Sequence, residues 1–170
     1  MEALPDVYVY LLAETWEFWA RFDQIAPVGG WRCWLFMGGR GAGKTRAGAE
    51  WVRGLVRSGT ARRVALVGPT MNDVREVMIT GDSGLLSVGL ESERPVYEPS
   101  RHRLSWPNGA VGYAFSAEEP NRLRGPQFDA AWTDEIAAWD EDSESWDMLQ
   151  FGLRLGEHPR VMATTTPRPV

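Results

Sequence analysis

Two short stretches carry the residue types best suited to chemistry. The first is GGRGAGKT, Gly38 to Thr45, directly after the apolar run WLFM at Trp34 to Met37. Gly38, Gly43, Lys44 and Thr45 stand at the spacing of a phosphate-binding loop. Glycines let successive backbone N–H groups turn inward around an anion, and the following helix presents its positive end to it. Lys44 then reaches the outer phosphates, and the Thr45 hydroxyl can coordinate magnesium. Gly38, Gly39, Arg40, Gly41, Ala42, Gly43, Lys44, Thr45 and Arg46 form the expected phosphate-binding set. Lys44 is also the one lysine among eighteen basic residues. A compact ammonium fits among phosphate oxygens where a planar guanidinium does not, so arginine would cost most at this position.

The second stretch is FDAAWTDEIAAW, Phe128 to Trp139, a mostly apolar strand running into two adjacent carboxylates. Neighbouring strand residues point to opposite sides, so Asp134 and Glu135 can do different jobs. Asp134 is expected to hold magnesium through water. Glu135 is expected to orient and activate the water that attacks a terminal phosphate. Transfer to a substrate hydroxyl would not need that glutamate, so its presence favours hydrolysis. Further on, RVMATTTP reads as a strand with hydroxyls at its carboxyl end, which is where open parallel sheets bind ligands.

These residues need a scaffold that brings the carboxyl ends of several strands together. Trp34 to Met37 reads as a short buried strand, and Ala47, Trp51, Leu55 and Val56 recur at near-helical spacing until Gly59 stops the helix. VALVG at Val64 to Gly68 reads as a second strand, and MNDVREVM as a short helix with Val74 and Met78 four apart. Strand alternating with helix predicts a parallel sheet covered on both faces. HRLSW, the turn PNGA and VGYAFS read as a hairpin about Asn108-Gly109, added antiparallel at a sheet edge. A capped helix follows Asp134, with Trp146, Leu149 and Leu153 on one face and Gly156 ending it. Before the glycine loop, Leu12, Trp16 and Trp19, with Leu11, Phe18 and Phe22 beside them, read as an amphipathic helix packed on the core.

A chain of 170 residues with 44% hydrophobic content is long enough for a full core, which excludes a disordered tail. We expect one compact domain, with a helical segment over residues 1–30 and the phosphate-binding core over 31–170. The lone cysteine, Cys33, allows no internal disulfide and reads as a buried thiol suited to a reducing cytoplasm. No stretch approaches membrane-spanning length. A net charge of −5 argues against coating nucleic acid by bulk electrostatics, although a local arginine patch could still touch a phosphate backbone.

The order of parts resembles the ATPase domain of the large terminase subunit, the motor that packages DNA in tailed bacteriophages and phage-like gene transfer agents. The resemblance rests on GGRGAGKT, GPT with DVREVM, LRGPQFDAAWTDEIAAW and GLRLGEHPRVMATTTP, and spans nearly the whole chain. It implies an α/β P-loop NTPase fold of the RecA-like subgroup with an extra catalytic glutamate, a mostly parallel sheet flanked by helices. ATP and magnesium are implied as cofactors. Carried over, Lys44 and Thr45 bind phosphate and magnesium, Asp134 is the Walker B acid, Glu135 is the catalytic base, and Thr164, Thr165 and Thr166 couple hydrolysis to movement. The family's coupling motif often has a small middle residue where Thr165 stands, which leaves open which threonine contacts phosphate. Gln24 is placed suitably to read adenine, as a glutamine before the P-loop strand does in the family. Arg40 and Arg124 could each stabilise charge on the transferring phosphate, and a finger supplied by a neighbour is worth about 10³ to 10⁵ in rate. Arg124 is favoured for that role, with Arg40 contacting phosphate or a wall of its own subunit.

The implied partners are double-stranded DNA, the portal of a procapsid and a small terminase subunit, with subunits in a ring when assembled and a monomer when isolated. The implied place is the cytoplasm of a bacterial host. Large terminases also carry a nuclease domain, so the chain reads as a motor domain from a longer protein that by itself should hydrolyse ATP slowly and not cut DNA. Two alternatives remain at this level. A helicase-like translocase is suggested by GPT and DE, although Ile136 and Ala137 stand where DEAD-box helicases place a further acid or histidine. A small-molecule kinase is disfavoured by Glu135.

Overall fold

The computed structural model describes Leu12, residues 15–140 and residues 144–167. Its helices are α1 (Trp16–Trp19), α2 (Lys44–Arg57), α3 (Met71–Asp73) and α4 (Ser145–Gly152). Its strands are β1 (Cys33–Met37), β2 (Arg63–Gly68), β3 (Val96–Glu98), β4 (Arg103–Ser105), β5 (Val111–Ser116), β6 (Ala130–Thr133) and β7 (Arg160–Thr165). They form one seven-stranded sheet in the order β1-β7-β6-β2-β5-β4-β3. β1, β7, β6, β2 and β5 run parallel, and β4 and β3 continue antiparallel at one edge.

The order inserts β7 and β6 between the first two strands in sequence, so crossovers bring three distant segments side by side. Phe36 lies beside Thr164 and Met37 beside Thr165, while Thr133 at the end of β6 lies beside Ala163. The glycine loop, the paired carboxylates and the threonine run therefore leave the sheet at the same edge. That is the edge at which open α/β sheets place ligands.

Each face of the sheet has its own core. α2 covers one face with Ala47, Trp51, Val52 and Val56, against Trp34, Val64, Leu66 and Trp132. α4 covers part of the other with Leu149, which joins Ala65, Val67, Phe128 and Val161. Gly48 sets the approach of α2, because a Cβ there would stand 2.2 Å from the Trp132 ring. β1 lies at the sheet edge and alternates, with Trp34 and Phe36 buried and Leu35 and Met37 50% and 59% exposed. Cys33, expected to be buried, is exposed on that same outer face.

Several local expectations are corrected. Of the expected amphipathic helix, the described residues show the single turn Trp16–Trp19, and Phe18, Trp19 and Phe22 are 61%, 64% and 95% exposed rather than core. Leu11 lies outside the described residues. MNDVREVM begins as α3, capped by Thr70, but continues over Val74–Ile79 as a π-helix. Bonding five residues apart brings Ile79 back under Val74, which α-helical turns would rotate away, so Val74, Met78 and Ile79 are all buried. The Asn108-Gly109 turn forms as read, with Gly109 at φ 86, yet its second strand, β5, pairs parallel with β2. The antiparallel addition is instead β4 and β3. α4 ends at Gly152 rather than Gly156, and Glu144 at its N-cap makes no side-chain cap hydrogen bond.

Candidate nucleotide site

A cavity of about 960 Å³ opens between the glycine loop and the α3–π turn. Residues Arg40 to Arg46 line one side, Asp73, Glu76 and Val77 line the other, and Asp134 and Glu135 border it as well. The loop takes its shape from Gly41 and Gly43, both at positive φ near 75, a conformation that costs glycine little. Gly43 is also the N-cap of α2, so the unbonded amides of the first helical turn face the cavity. Two side chains hold the loop from outside. Arg21 donates to the Ala42 carbonyl at 2.7 Å, and Gln24 Nε2 donates to the Gly43 carbonyl at 3.4 Å.

Lys44 is buried at the mouth of the loop. Its ammonium donates to the carbonyls of Gly38 at 2.9 Å and Gly39 at 3.2 Å, and to Thr166 Oγ1 at 2.9 Å. Those three bonds use all three of its protons. Glu135 Oε1 stands 3.5 Å away as its ion-pair partner. The Thr166 hydroxyl donates to Glu135 Oε1 and the Thr166 amide to Glu135 Oε2, each at 2.8 Å. Partial burial alone would raise the Glu135 carboxyl, but the two Thr166 bonds and the Lys44 charge outweigh it and hold the group below its ordinary range.

Asp134 and Glu135 do part company, by a different device from strand alternation. β6 ends at Thr133, and Glu135 has a left-handed backbone, φ 48 and ψ 48, which few non-glycine residues adopt. Asp134 stays buried, its carboxylate accepting the Thr164 hydroxyl, while Glu135 turns toward Lys44. Burial pushes the Asp134 carboxyl upward, more than the Thr164 bond draws it down. Asp134 and Thr45 line the same cavity and present a carboxylate and a hydroxyl. Hard oxygen donors of that kind suit magnesium, which keeps much of its water shell.

The three threonines separate cleanly. Thr164 is buried on Asp134, with the Trp132 indole donating to it at 3.4 Å. Thr165 Oγ1 accepts the Ala137 amide at 3.1 Å, tying β7 to the turn after the carboxylates. Thr166 meets Lys44 and Glu135.

Arg40 and Arg46 border the cavity; Gln24 and Arg124 do not. Gln24 is buried behind the loop, its Oε1 accepting the Arg21 amide at 3.0 Å. Arg124 is exposed on the loop before β6 and pairs with exposed Glu144 at 3.1 Å. Sequence reasoning missed the Arg21 brace and the wall of Asp73 and Glu76. Arg21 carries no motif signal, whereas Asp73 and Glu76 could have been found from their place just beyond the carboxyl end of β2.

Known proteins share this sequence family and this fold. Residues 35–170 match the family model described as terminase large subunit, T4likevirus-type, N-terminal. Among solved structures, the large terminase ATPase domain of a Thermus phage matches at a TM-score of 0.64 and 16% identity, covering 92% of this chain and 71% of that one. The large terminase of a thermophilic bacteriophage in complex with ATP-gamma-S matches at 0.61 and 16% identity, covering 79% of this chain and 32% of that one. The N-terminal domain of the DNA packaging ATPase from bacteriophage phi29 matches at 0.55 and 14% identity, covering 78% and 71%. No curated protein matches the sequence. The chain belongs to the large terminase subunit family, of which it holds the N-terminal ATPase domain.

Proposed function

We propose that this domain binds ATP with magnesium in the cavity beside the glycine loop, hydrolyses it, and so drives double-stranded DNA into a viral or phage-like procapsid. One observation carries the reading: Lys44, Asp134 and Glu135, from two segments far apart in sequence, border a single cavity at the carboxyl edge of the sheet. One structurally similar large terminase holds ATP-gamma-S in one structure and ADP in another.

Main-chain amides of Gly39 to Lys44 and the α2 terminus receive the phosphates, and Lys44 turns its ammonium from the loop carbonyls to the β- and γ-oxygens. Thr45 and Asp134 hold magnesium, which supplies charge neutralisation on the phosphate oxygens when bound. Glu135 accepts a proton from the attacking water and orients it in line with the γ-phosphate. Arg40 faces the phosphates within its own subunit. Arg124, exposed and away from its own cavity, serves the neighbouring subunit as an arginine finger. Gln24 supports Gly43, and reading adenine would require it to exchange that bond for one to the base.

Double-stranded DNA, the portal of a procapsid and a small terminase subunit are the partners of the assembled ring, in the bacterial cytoplasm. No helix among the described residues is long and apolar enough to cross a membrane. The isolated chain is a monomer of weak activity, because its neighbour's arginine is missing. The test is ATP turnover by the full-length protein with and without empty procapsids and DNA. Stimulation by both together is expected; turnover indifferent to them would overturn the packaging role.

A further inference from the structure

Four arginines stand in a row along the edge of the sheet opposite the cavity. Arg63 and Arg160 open β2 and β7, and Arg32 and Arg62 directly precede β1 and β2. Main-chain bonds set them side by side. The Val161 amide donates to the Arg32 carbonyl at 2.9 Å, the Arg160 amide to the Asp129 carbonyl at 3.2 Å, and the Asp129 amide to the Arg63 carbonyl at 2.9 Å. The row thus crosses β1, β7, β6 and β2, three strand spacings or about 14 Å.

Arg160 lies over the Trp31 ring at 4.9 Å and Arg63 over the Tyr113 ring at 5.6 Å, so two of the guanidinium groups are seated on aromatic faces. Arg32, Arg62 and Arg63 are exposed and Arg160 is half-buried. None of the four side chains forms an ion pair or donates a hydrogen bond among the described residues, whereas Arg53, Arg75, Arg101 and Arg122 all pair with acids. The carboxylate within the row, Asp129, is engaged by the main chain: its Oδ2 accepts the Arg62 and Arg63 amides, each at 2.8 Å. Like charges this close repel one another, and a chain of net charge −5 has acids enough to pair them. Their lack of such partners leaves the row to an anion from outside.

We infer that this row grips the phosphate backbone of double-stranded DNA. The inference rests on the proposed role in DNA packaging and names the surface that the duplex meets. A guanidinium fork takes two phosphate oxygens at once. Each strand of a duplex presents a phosphate for about every 3.4 Å of rise, so a row about 14 Å long meets several without a pocket to enclose them. Phosphate contacts position a duplex without reading its sequence, which suits movement along any sequence. None of the four arginines lines the nucleotide cavity. β7 runs from Arg160 at this edge to Thr165 at the other, so one strand joins the DNA-facing edge to the nucleotide edge.

Anisotropy of a short labelled duplex titrated with the chain at several salt concentrations tests the row. The slope of log K against log salt should be about −3 to −4, as four phosphate contacts require. Replacing Arg62→Gln and Arg63→Gln together keeps the amides that Asp129 binds and should reduce the slope by about two, with ATP-gamma-S affinity unchanged. Arg101→Gln with Arg122→Gln makes the same change in net charge at exposed, ion-paired sites and should leave the slope as it was. A chain that bound no duplex, an unchanged slope in the first double variant, or equal reductions in both would overturn the row. Polyglutamate that displaced the labelled duplex as well as unlabelled duplex does would also overturn it, and would make this edge a docking face for an acidic protein. Phenylglyoxal labelling of the unmodified chain, read by mass spectrometry, is independent of how the variants fold. Duplex should shield Arg32, Arg63 and Arg160, and equal labelling with and without it would overturn the row. These outcomes are separate from the packaging role, which falls only if turnover by the full-length protein is indifferent to DNA and procapsids.

Discussion

Lys44 and Glu135 face one another across 3.5 Å, yet removing them should have unlike effects. If the cavity takes ATP as proposed, Lys44→Ala removes the ammonium at the mouth of the loop, and nucleotide binding and turnover should both be lost in a titration and a phosphate-release assay. Unchanged phosphate release would contradict the site. Glu135→Gln keeps the shape of the side chain and should still bind ATP and magnesium while hydrolysis falls by about 10² to 10⁴, the usual worth of a positioned general base. Loss of binding together with hydrolysis would make Glu135 a metal ligand or a structural group. The residue types at 44, 134 and 135 were legible because a lysine closing a glycine loop and two adjacent carboxylates ending an apolar strand stand out in the sequence, and the structure brings all three to one cavity. The division of labour among Thr164, Thr165 and Thr166 was not, because it depends on which hydroxyl reaches across to β6 and which emerges beyond β7. Gln24 was expected to read adenine, and nothing in its neighbours announced that it would be buried behind Gly43, bonded to that residue's carbonyl.

At the level of elements, the fit of α2 on the sheet can be tested without touching the chemistry. Gly48→Ala pushes a methyl into the Trp132 ring, whose indole also bonds Thr164, and should cost about 1 to 3 kcal/mol in denaturant unfolding as an overpacked core position. A variant as stable as the wild type would mean that α2 can shift freely. β1 gives a paired comparison, since adjacent residues lie on opposite faces. Phe36→Ala should cost about 3 to 5 kcal/mol, and half-exposed Leu35→Ala clearly less, read from the same unfolding curves. Equal losses would show that the outer face of β1 is covered in solution. Periodicity revealed α2 and the buried strands because their apolar positions recur over several residues. It failed at α1, where apolar spacing matches a helix but no surface among the described residues covers Trp19 and Phe22. It failed again at Val74–Ile79, where a π turn brings inward Ile79, five residues on from Val74 and off the face that α-helical spacing gives, and at β3, a three-residue strand too short to show a period.

At the scale of the whole molecule, alternating strands and helices were enough to predict a parallel sheet, but the strand order could not be read from alternation. Placing β7 and β6 between β1 and β2 is what assembles the cavity, and it leaves Arg124 outside. The arginine stands on a surface loop between a short 3-10 turn and Gly125, which has φ 100, and its only recorded ion-pair partner among the described residues is exposed Glu144. An exposed pair of that kind contributes about 0 to 1 kcal/mol, so a neighbour's nucleotide can take the guanidinium at little cost. If Arg124 works across the subunit boundary, Arg124→Ala and Glu135→Gln should each inactivate the full-length assembled motor, whereas their mixture should regain part of the ATPase activity. Wherever an Arg124→Ala subunit supplies the nucleotide and an intact Glu135, an adjacent Glu135→Gln subunit still supplies the arginine. An arginine serving its own subunit permits no such rescue, because every site would then lack one of the two groups. Procapsid binding by both variants establishes assembly before rates are compared. Background activity at every mixing ratio would return Arg124 to its surface pair with Glu144 and leave Arg40, already at the cavity, as the arginine that meets the transferring phosphate.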